Sequence, residues 1–310
     1  MNDTYLKTAR LLTQVAPFLF EDEVFALKGG TAINLFVRDM PRLSVDLDLV
    51  FPNHSLARKE ALEQINASLG KAATQLKSKG FEVYEARSPE TGETKFLVRR
   101  DRIEVKVEVN YVMRGTVRPV VTQGLTQRAQ DVLQADLDIR VVSVDDVYGG
   151  KLVAALDRQH PRDLFDVMQL LQHGGITAGI RRAFVVYLAC HNRPLHEVLF
   201  PPLKDVTQEF ESNFRGMTTE EVELPQLIAA RHQMIATLHT DLDDDERAFL
   251  ISLASGEPDW TRMDLPHLNE LPAMQWKLKN LAELGKKNKG KLEEQRDELV
   301  AKMDRATPKR

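Results

Sequence analysis

Two aspartates, Asp46 and Asp48, stand two residues apart in the stretch Ser44-Val-Asp-Leu-Asp-Leu49. In an extended strand that spacing points both carboxylates to one face. Like charges so close repel, and a divalent cation is the simplest compensation. Hard cations such as Mg²⁺ or Mn²⁺ are held by carboxylates together with substrate oxygens. The pair therefore suits phosphoryl or nucleotidyl transfer from an NTP. In that chemistry a protein must neutralise triphosphate charge and align an attacking hydroxyl with the departing pyrophosphate. Upstream, Gly29-Gly30 lets a backbone turn present its N–H groups closely to phosphate oxygens, and a helix starting near Thr31 adds its positive end. Thr31 and Ser44 can each donate a hydroxyl. Glu108, on another alternating stretch, supplies a third metal ligand if its strand neighbours that of the aspartates.

Each signal also has a plainer reading. A Gly-Gly after a strand is an ordinary turn. A D-x-D on an alternating strand is the wet face of a half-exposed sheet, and so is Glu108 beside Glu104 and Lys106. The succession of strand, Gly-Gly-Thr, short helix and an alternating S-x-D-x-D-L strand is far more specific than any of its parts.

The elements that must position these residues follow from periodicity. Leu6, Ala9, Leu12, Val15 and Leu19 keep helical spacing, with Pro17 leaving the far end open. Residues 24–27 form a short buried strand that stops at the glycines, and 31–37 a short helix. From 43 to 51 the chain alternates, with Leu43, Val45, Leu47 and Leu49 opposite Ser44, Asp46 and Asp48. A long helix covers 55–79. Strands follow at 81–87, 95–99 and 103–112, turning at Pro89 and Gly92 and again at Asp101. A strand at 139–142 ends at Ser143, an N-cap for the next helix. Thereafter the reading is helical: Val147 to Leu156, Pro161 to Leu171, then 176–190, 203–214, 224–239, 243–255 and 275–303. His160 reads as an N-cap or loop residue, and Trp260 and Trp276 as packing residues. The expected class is α+β: an α/β lobe at 1–142, a helical lobe at 143–276, and a basic C-terminal helix or tail at 277–310.

Composition excludes several alternatives. Of 310 residues 43% are hydrophobic and 28% charged, an ordinary globular balance, and the net charge is −4. Cys190 is the single cysteine, so neither an internal disulfide nor a Cys-rich metal site forms. The histidines show no H-x-x-x-H spacing, and there is no P-loop, G-x-G-x-x-G or G-x-S-x-G. The first residues lack a signal peptide's basic and apolar regions, and the longest apolar run, 184–190, falls short of the roughly 20 residues of a membrane span. A cytoplasmic protein with no membrane partner is expected. Residues 277–310 carry eleven Lys or Arg against six Asp or Glu, a net +5 that leaves the remainder at −9. Such asymmetry marks either a nucleic-acid contact or a solvated terminal helix with Glu–Lys pairs.

The segments Leu27-Lys-Gly-Gly-Thr-Ala-Ile-Asn-Leu35 and Arg42-Leu-Ser-Val-Asp-Leu-Asp-Leu49 resemble the N-terminal motif of the AbiEii-type nucleotidyltransferase toxins. These belong to the DNA polymerase β-like nucleotidyltransferase superfamily, with a G-[GS] turn and a D-x-[DE] about a dozen residues later. Lys151-Leu-Val-Ala-Ala-Leu-Asp-Arg158 and Arg162-Asp-Leu-Phe-Asp166 are similar to the family's K-x-x-A-x-x-x-R and R-D-x-x-D segments. The resemblance covers roughly residues 24–172.

What it implies is specific. Gly29, Gly30 and Ser44 match positions near the triphosphate, and Asp46 and Asp48 match the metal ligands. Lys151 matches an essential lysine that meets nucleotide phosphate, and Asp166, or Asp163, an essential later acid. Arg162 and Asp166, four apart on one helix, can pair along a face; the plainer alternative is an ion pair that fastens a helical hairpin. The fold implied is a nucleotidyltransferase-like mixed sheet followed by a helical lobe, with the nucleotide in the cleft between them. The activity implied is transfer of a nucleoside monophosphate to an acceptor hydroxyl, with a transfer RNA 3′ end as acceptor and a separately encoded antitoxin as partner. Kinase or nucleotidylating activity on a protein, and a binding protein without chemistry, are the alternatives.

Overall fold

Alternation of buried and solvated side chains builds the first half of the chain into one sheet. The computed structural model describes residues 3–87 and 94–306. The chain divides into two compact units, Met1–Val147 with Arg215–Glu221, and Tyr148–Phe214 with Val222–Arg310.

The first unit opens with α1 (Asp3–Phe20), which contains Pro17 on its exposed side and buries Ala9, Leu12, Val15 and Leu19. β1 (Ala26–Lys28) runs into α2 (Gly29–Thr31), which continues as a π-helical segment over Ala32–Val37. Next come β2 (Asp46–Val50), α3 (Arg58–Ser78), β3 (Glu82–Arg87), β4 (Thr94–Arg100) and β5 (Ile103–Val109). β6 (Val121–Gly124), α4 (Gln127–Leu133) and β7 (Asp138–Val141) complete the sheet. Its strand order is β3-β4-β5-β2-β1-β7-β6. β2 pairs with β5, and β1 with β7, in parallel; the other neighbours are antiparallel. This mixed topology buries Leu47, Leu49, Val105 and Val107 completely and places β2 at the centre.

Two strand expectations change. The strand predicted over 43–51 begins only at Asp46, because the chain before it pairs elsewhere. Arg42 bridges Thr218, Leu43 N–H donates to Met217 O at 3.0 Å, and Thr219 N–H donates to Pro41 O at 2.9 Å. The strand predicted to reach residue 112 ends at Val109, where the Asn110 side chain accepts from the Val112 and Met113 N–H groups, each at 2.9 Å, and turns the chain. β6 and α4 were not anticipated. Asp101 and Arg102 both take positive φ, 50° and 66°, as a two-residue hairpin turn requires. The turn expected at Pro89 and Gly92 lies outside the described residues, as does the Lys309-Arg310 end.

The second unit is helical. It takes up α5 (Val144–Asp157) from its second turn onward and continues with α6 (Pro161–Gln172), α7 (Ala178–Ala189), α8 (Leu195–Leu199) and α9 (Thr207–Asn213). α10 (Leu224–Asp241), α11 (Asp244–Ala254), α12 (Pro272–Lys287) and α13 (Lys289–Ala306) follow. α10 packs on α6, and α13 lies against α8, α11 and α12. The single helix expected over 275–303 is broken at Asn288, whose extended φ of −155° reverses the chain and whose side chain caps Lys291 N–H at 3.0 Å. Among the described residues no helix is long and apolar enough to cross a membrane.

Candidate active site

The acidic strand keeps the alternation that its sequence demands. Asp46 and Asp48 face one side, half-buried, with Leu47 and Leu49 on the other. The register sets Asp48 opposite Glu108 of β5 and opposite Lys28 of β1, and Asp46 opposite Lys106. Glu108 therefore does lie on the strand beside the aspartates. Its carboxylate receives Lys106 Nζ at 2.6 Å. That hydrogen bond outweighs partial burial, and the charges of Asp46 and Asp48 add to it, so the Lys106 ammonium is held above the ordinary lysine range.

The glycine turn closes directly over this face. Gly29 has φ +76°, and a Cβ there would overlap Asp48 Oδ2 and stand 3.1 Å from its Cγ. Only a residue without a side chain leaves that space. A Cβ on Gly30 would meet Arg42 Nη2 at 2.8 Å and Ser44 Oγ at 3.1 Å. Thr31 Oγ1 donates to the Asp46 carbonyl and lies 2.9 Å from Ser44 Oγ, while Asn34 Nδ2 donates to Gly30 O at 2.9 Å. Gly29, Gly30, Thr31, Ser44, Asp46 and Asp48 thus come together as one constellation. Arg42 joins it and was not anticipated. It is 2% exposed and donates from Nη1 to Leu43 O at 2.9 Å. The signal available was a basic residue two positions before Ser44.

This donor set fits a small hard cation. Among the described residues no group of three or more His, Cys, Asp or Glu side chains converges as a cage. Mg²⁺ is ordinarily bound by one or two carboxylates and completed by substrate phosphate oxygens and water, and the absent Gly29 side chain is what lets the Asp48 carboxylate lie against the turn.

A second cluster is built within the helical unit. Lys151 of α5 donates to Asp163 Oδ1 at 2.8 Å and lies 3.0 Å from Asp166 Oδ2, both on α6. All three are buried, Asp166 completely, and Arg158 adds a contact to Asp163 Oδ2 at 2.9 Å. The turn between the two helices is held from outside. Gln159, with φ +55°, donates to Pro202 O at 2.8 Å and accepts from Arg231 Nη1 at 3.0 Å. His160 is an N-cap, its ring accepting from Arg162 N–H at 3.2 Å, and Arg162 lies half-buried beside it. The glycines before Lys151 also find their reason. A Cβ on Gly149 would come within 2.8 Å of the backbone at Ala183 and Phe184, so α7 approaches α5 as closely as backbone allows. Gln159 and Arg231 left no trace in the sequence reading, since their pairing spans 72 residues.

The mixed sheet followed by helices is the fold of a known nucleotidyltransferase toxin, and the family match makes the chain an enzyme of the nucleotidyltransferase class. More narrowly, residues 10–280 match the nucleotidyl transferase AbiEii toxin of type IV toxin–antitoxin systems, and the chain belongs to that family. Nucleotidyltransferases generally use an NTP and a divalent metal, and a type IV toxin–antitoxin family implies an antitoxin partner. The fold is similar to that of MenT4, a nucleotidyltransferase toxin from Mycobacterium tuberculosis H37Rv, with TM-score 0.59 at 20% identity over 89% of this chain and 94% of that one. No curated protein sequence matches the chain.

Proposed function

We propose that the enzyme moves a nucleoside monophosphate from an NTP to an acceptor hydroxyl of RNA, at a transfer RNA 3′ end, and releases pyrophosphate. The observation that carries this reading is the seating of the Asp48 carboxylate over Gly29, beside Asp46 and the Thr31–Ser44 hydroxyl pair. Asp46 and Asp48, joined by Glu108, would hold Mg²⁺ or Mn²⁺, which when bound neutralises triphosphate charge and orients the reacting oxygens.

The chain's own groups do the rest. Backbone N–H groups at Gly29 and Gly30, with the Thr31 and Ser44 hydroxyls, hold phosphate oxygens. The Asp46–Asp48 face repels any anion that arrives without a cation, which selects the metal-bound nucleotide. Glu108 joins the site by exchanging Lys106, leaving that ammonium for a phosphate oxygen. Lys151 and Arg162 are assigned to nucleotide phosphate on the family's K-x-x-A-x-x-x-R and R-D-x-x-D segments, with Asp163 and Asp166 holding the Lys151 ammonium in one position. The acceptor class rests on the two motif segments that resemble the toxin family.

The test is incubation of the purified protein with total RNA and each NTP, labelled at either the α or the γ phosphate. Label from the α position is expected on RNA. γ label on protein would assign phosphoryl transfer instead, and no transfer of either label with Mg²⁺ or Mn²⁺ present would sink the reading.

A further inference from the structure

The helical unit contains a cavity of about 250 Å³ lined by none of the residues assigned above to the nucleotide. It opens where α8, α11, α12 and α13 meet. Its walls are apolar, from Pro194, Leu195, Ala254, Leu281 and Leu284. Its polar lining is two lysines, Lys277 and Lys291, and three amides, Asn192, Asn280 and Gln295, with no carboxylate. At that size it admits one flat group and falls below the ~300–1,000 Å³ of ordinary small-molecule pockets.

The cations are placed by different means. Lys277 is 5% exposed and donates from Nζ to His191 O at 2.8 Å and Arg193 O at 2.7 Å, which leaves one of its three N–H donors. The backbone N–H of Lys291 donates to the capping Asn288 side chain, and its ammonium enters no ion pair among the described residues. Beside the cavity stands an aromatic surface. Trp276, read from sequence as a packing residue, is 51% exposed, with Lys279 Nζ 5.6 Å from its ring centre. It lies four residues before Asn280 on α12, so the indole sits one turn from the cavity rim. Trp260, read the same way, does pack, with its ring 6.1 Å from Phe249.

An apolar slot edged by amides, a half-exposed indole and lysines in a lining without carboxylates are elements that single-stranded RNA binding uses. Unstacked bases lie on aromatic rings or enter slots where amides read their edges, and lysines follow the phosphates. The +5 charge of residues 277–310 has the sign that a polyanion requires. We infer that this cavity and the adjoining Trp276 surface bind single-stranded RNA, with one splayed base in the slot, a neighbour stacked on Trp276, and Lys277, Lys279 and Lys291 at the phosphates. This deepens the proposed function, on whose RNA acceptor it rests.

The experiment uses the full-length protein, a short fluorescein-labelled single-stranded RNA for anisotropy, and transfer RNA for label transfer from NTP. Trp276→Ala and Lys291→Glu alter exposed side chains, and Lys59→Glu, on α3, repeats the charge change elsewhere. Each of the first two is expected to raise the RNA Kd about tenfold, the scale of one lost base stack or phosphate contact. The KM for transfer RNA should rise with them while the KM for NTP stays put, Lys291→Glu should flatten the salt dependence, and Lys59→Glu should match wild type. Wild-type Kd and KM in both variants, with the parent still labelling RNA, would overturn the site and leave the proposed function standing. A parent that neither binds nor labels RNA would overturn both. Variants that lose the antitoxin and keep the RNA would make the cavity a protein-docking site and end the RNA inference.

Discussion

The Asp48 carboxylate occupies the space that a side chain on Gly29 would need. Gly29→Ala therefore meets two obstacles, a left-handed φ of +76° and an overlap with Asp48 Oδ2. The backbone strain alone costs about 1–2 kcal/mol, and relief requires the carboxylate to move. Turnover is expected to fall by at least about 10²-fold, as a displaced catalytic group implies. Gly70, exposed on α3 with nothing within 4 Å of its added Cβ, is the control. Gly70→Ala should keep full activity and stabilise by roughly 0.5–1 kcal/mol. Equal activities in the two variants, measured by label transfer, would detach Gly29 from the site.

Asp46→Asn and Asp48→Asn each remove a charge from a half-solvated strand face. Losing several kcal/mol of transition-state stabilisation corresponds to a drop of about 10³-fold or more. Stability should change by no more than about 0.5 kcal/mol, since relief of like-charge repulsion offsets the lost contacts. Denaturant unfolding and transfer rate together check this. A folded variant with near-normal transfer in Mg²⁺ would remove that aspartate from the metal site.

Lys151 has a structural and a catalytic consequence that separate in measurement. Lys151→Ala leaves Asp163 and Asp166 buried with their central cation gone, and a loss of roughly 3–5 kcal/mol is expected. Turnover should fall about 10²-fold at a temperature where the variant is still folded, on the scale of one preorganised donor. Lys151→Arg should recover stability better than rate, because its planar fork is not a point charge. Normal turnover in the folded Ala variant would give Lys151 to stability alone.

Burial pushes the Lys277 ammonium down to about 8 from an ordinary 10.5, against smaller opposing effects of Cys190 and Glu197. Between those two values the unfolded chain binds more protons, so this group makes stability rise with pH there. Below about 8 both states carry the proton, and the cost of burying the charge is fully present. Burial pushes the Cys190 thiol up to about 12, so it stays protonated through the same window. Urea unfolding from pH 7 to 10 should show a steeper rise for wild type than for Lys277→Met. Parallel curves would mean that the two carbonyls hold Lys277 charged throughout.

Local patterns in the sequence were enough to bring the acidic strand face and the glycine turn together as one candidate site. Leu47 and Leu49 against Asp46 and Asp48 define a strand with one wet side, and Gly29-Gly30 needs only the residue type. What pairs across long separations was not legible. Nothing near Arg42 announces Thr218 as its partner, and nothing near Gln159 announces Arg231. β6 is a short, solvated edge strand, Val-Thr-Gln-Gly, with no alternation to betray it. Trp276 was misjudged because apolarity alone does not say which side of α12 faces inward. The break at Asn288 was missed because polar residues run through both helices it separates.

The return of residues 215–221 to the segment that leads into β2 has a consequence in the order of synthesis. Arg42 and Leu43 take their partners from Met217 and Thr218. A ribosome adding about 5–20 residues per second delivers Thr218 roughly ten to thirty seconds after Val50. Throughout that interval the approach to the acidic strand has no mate, whatever the rest of the sheet has done. A toxin of this design is expected to be harmless on the ribosome that makes it, and to become dangerous only when most of its length has emerged.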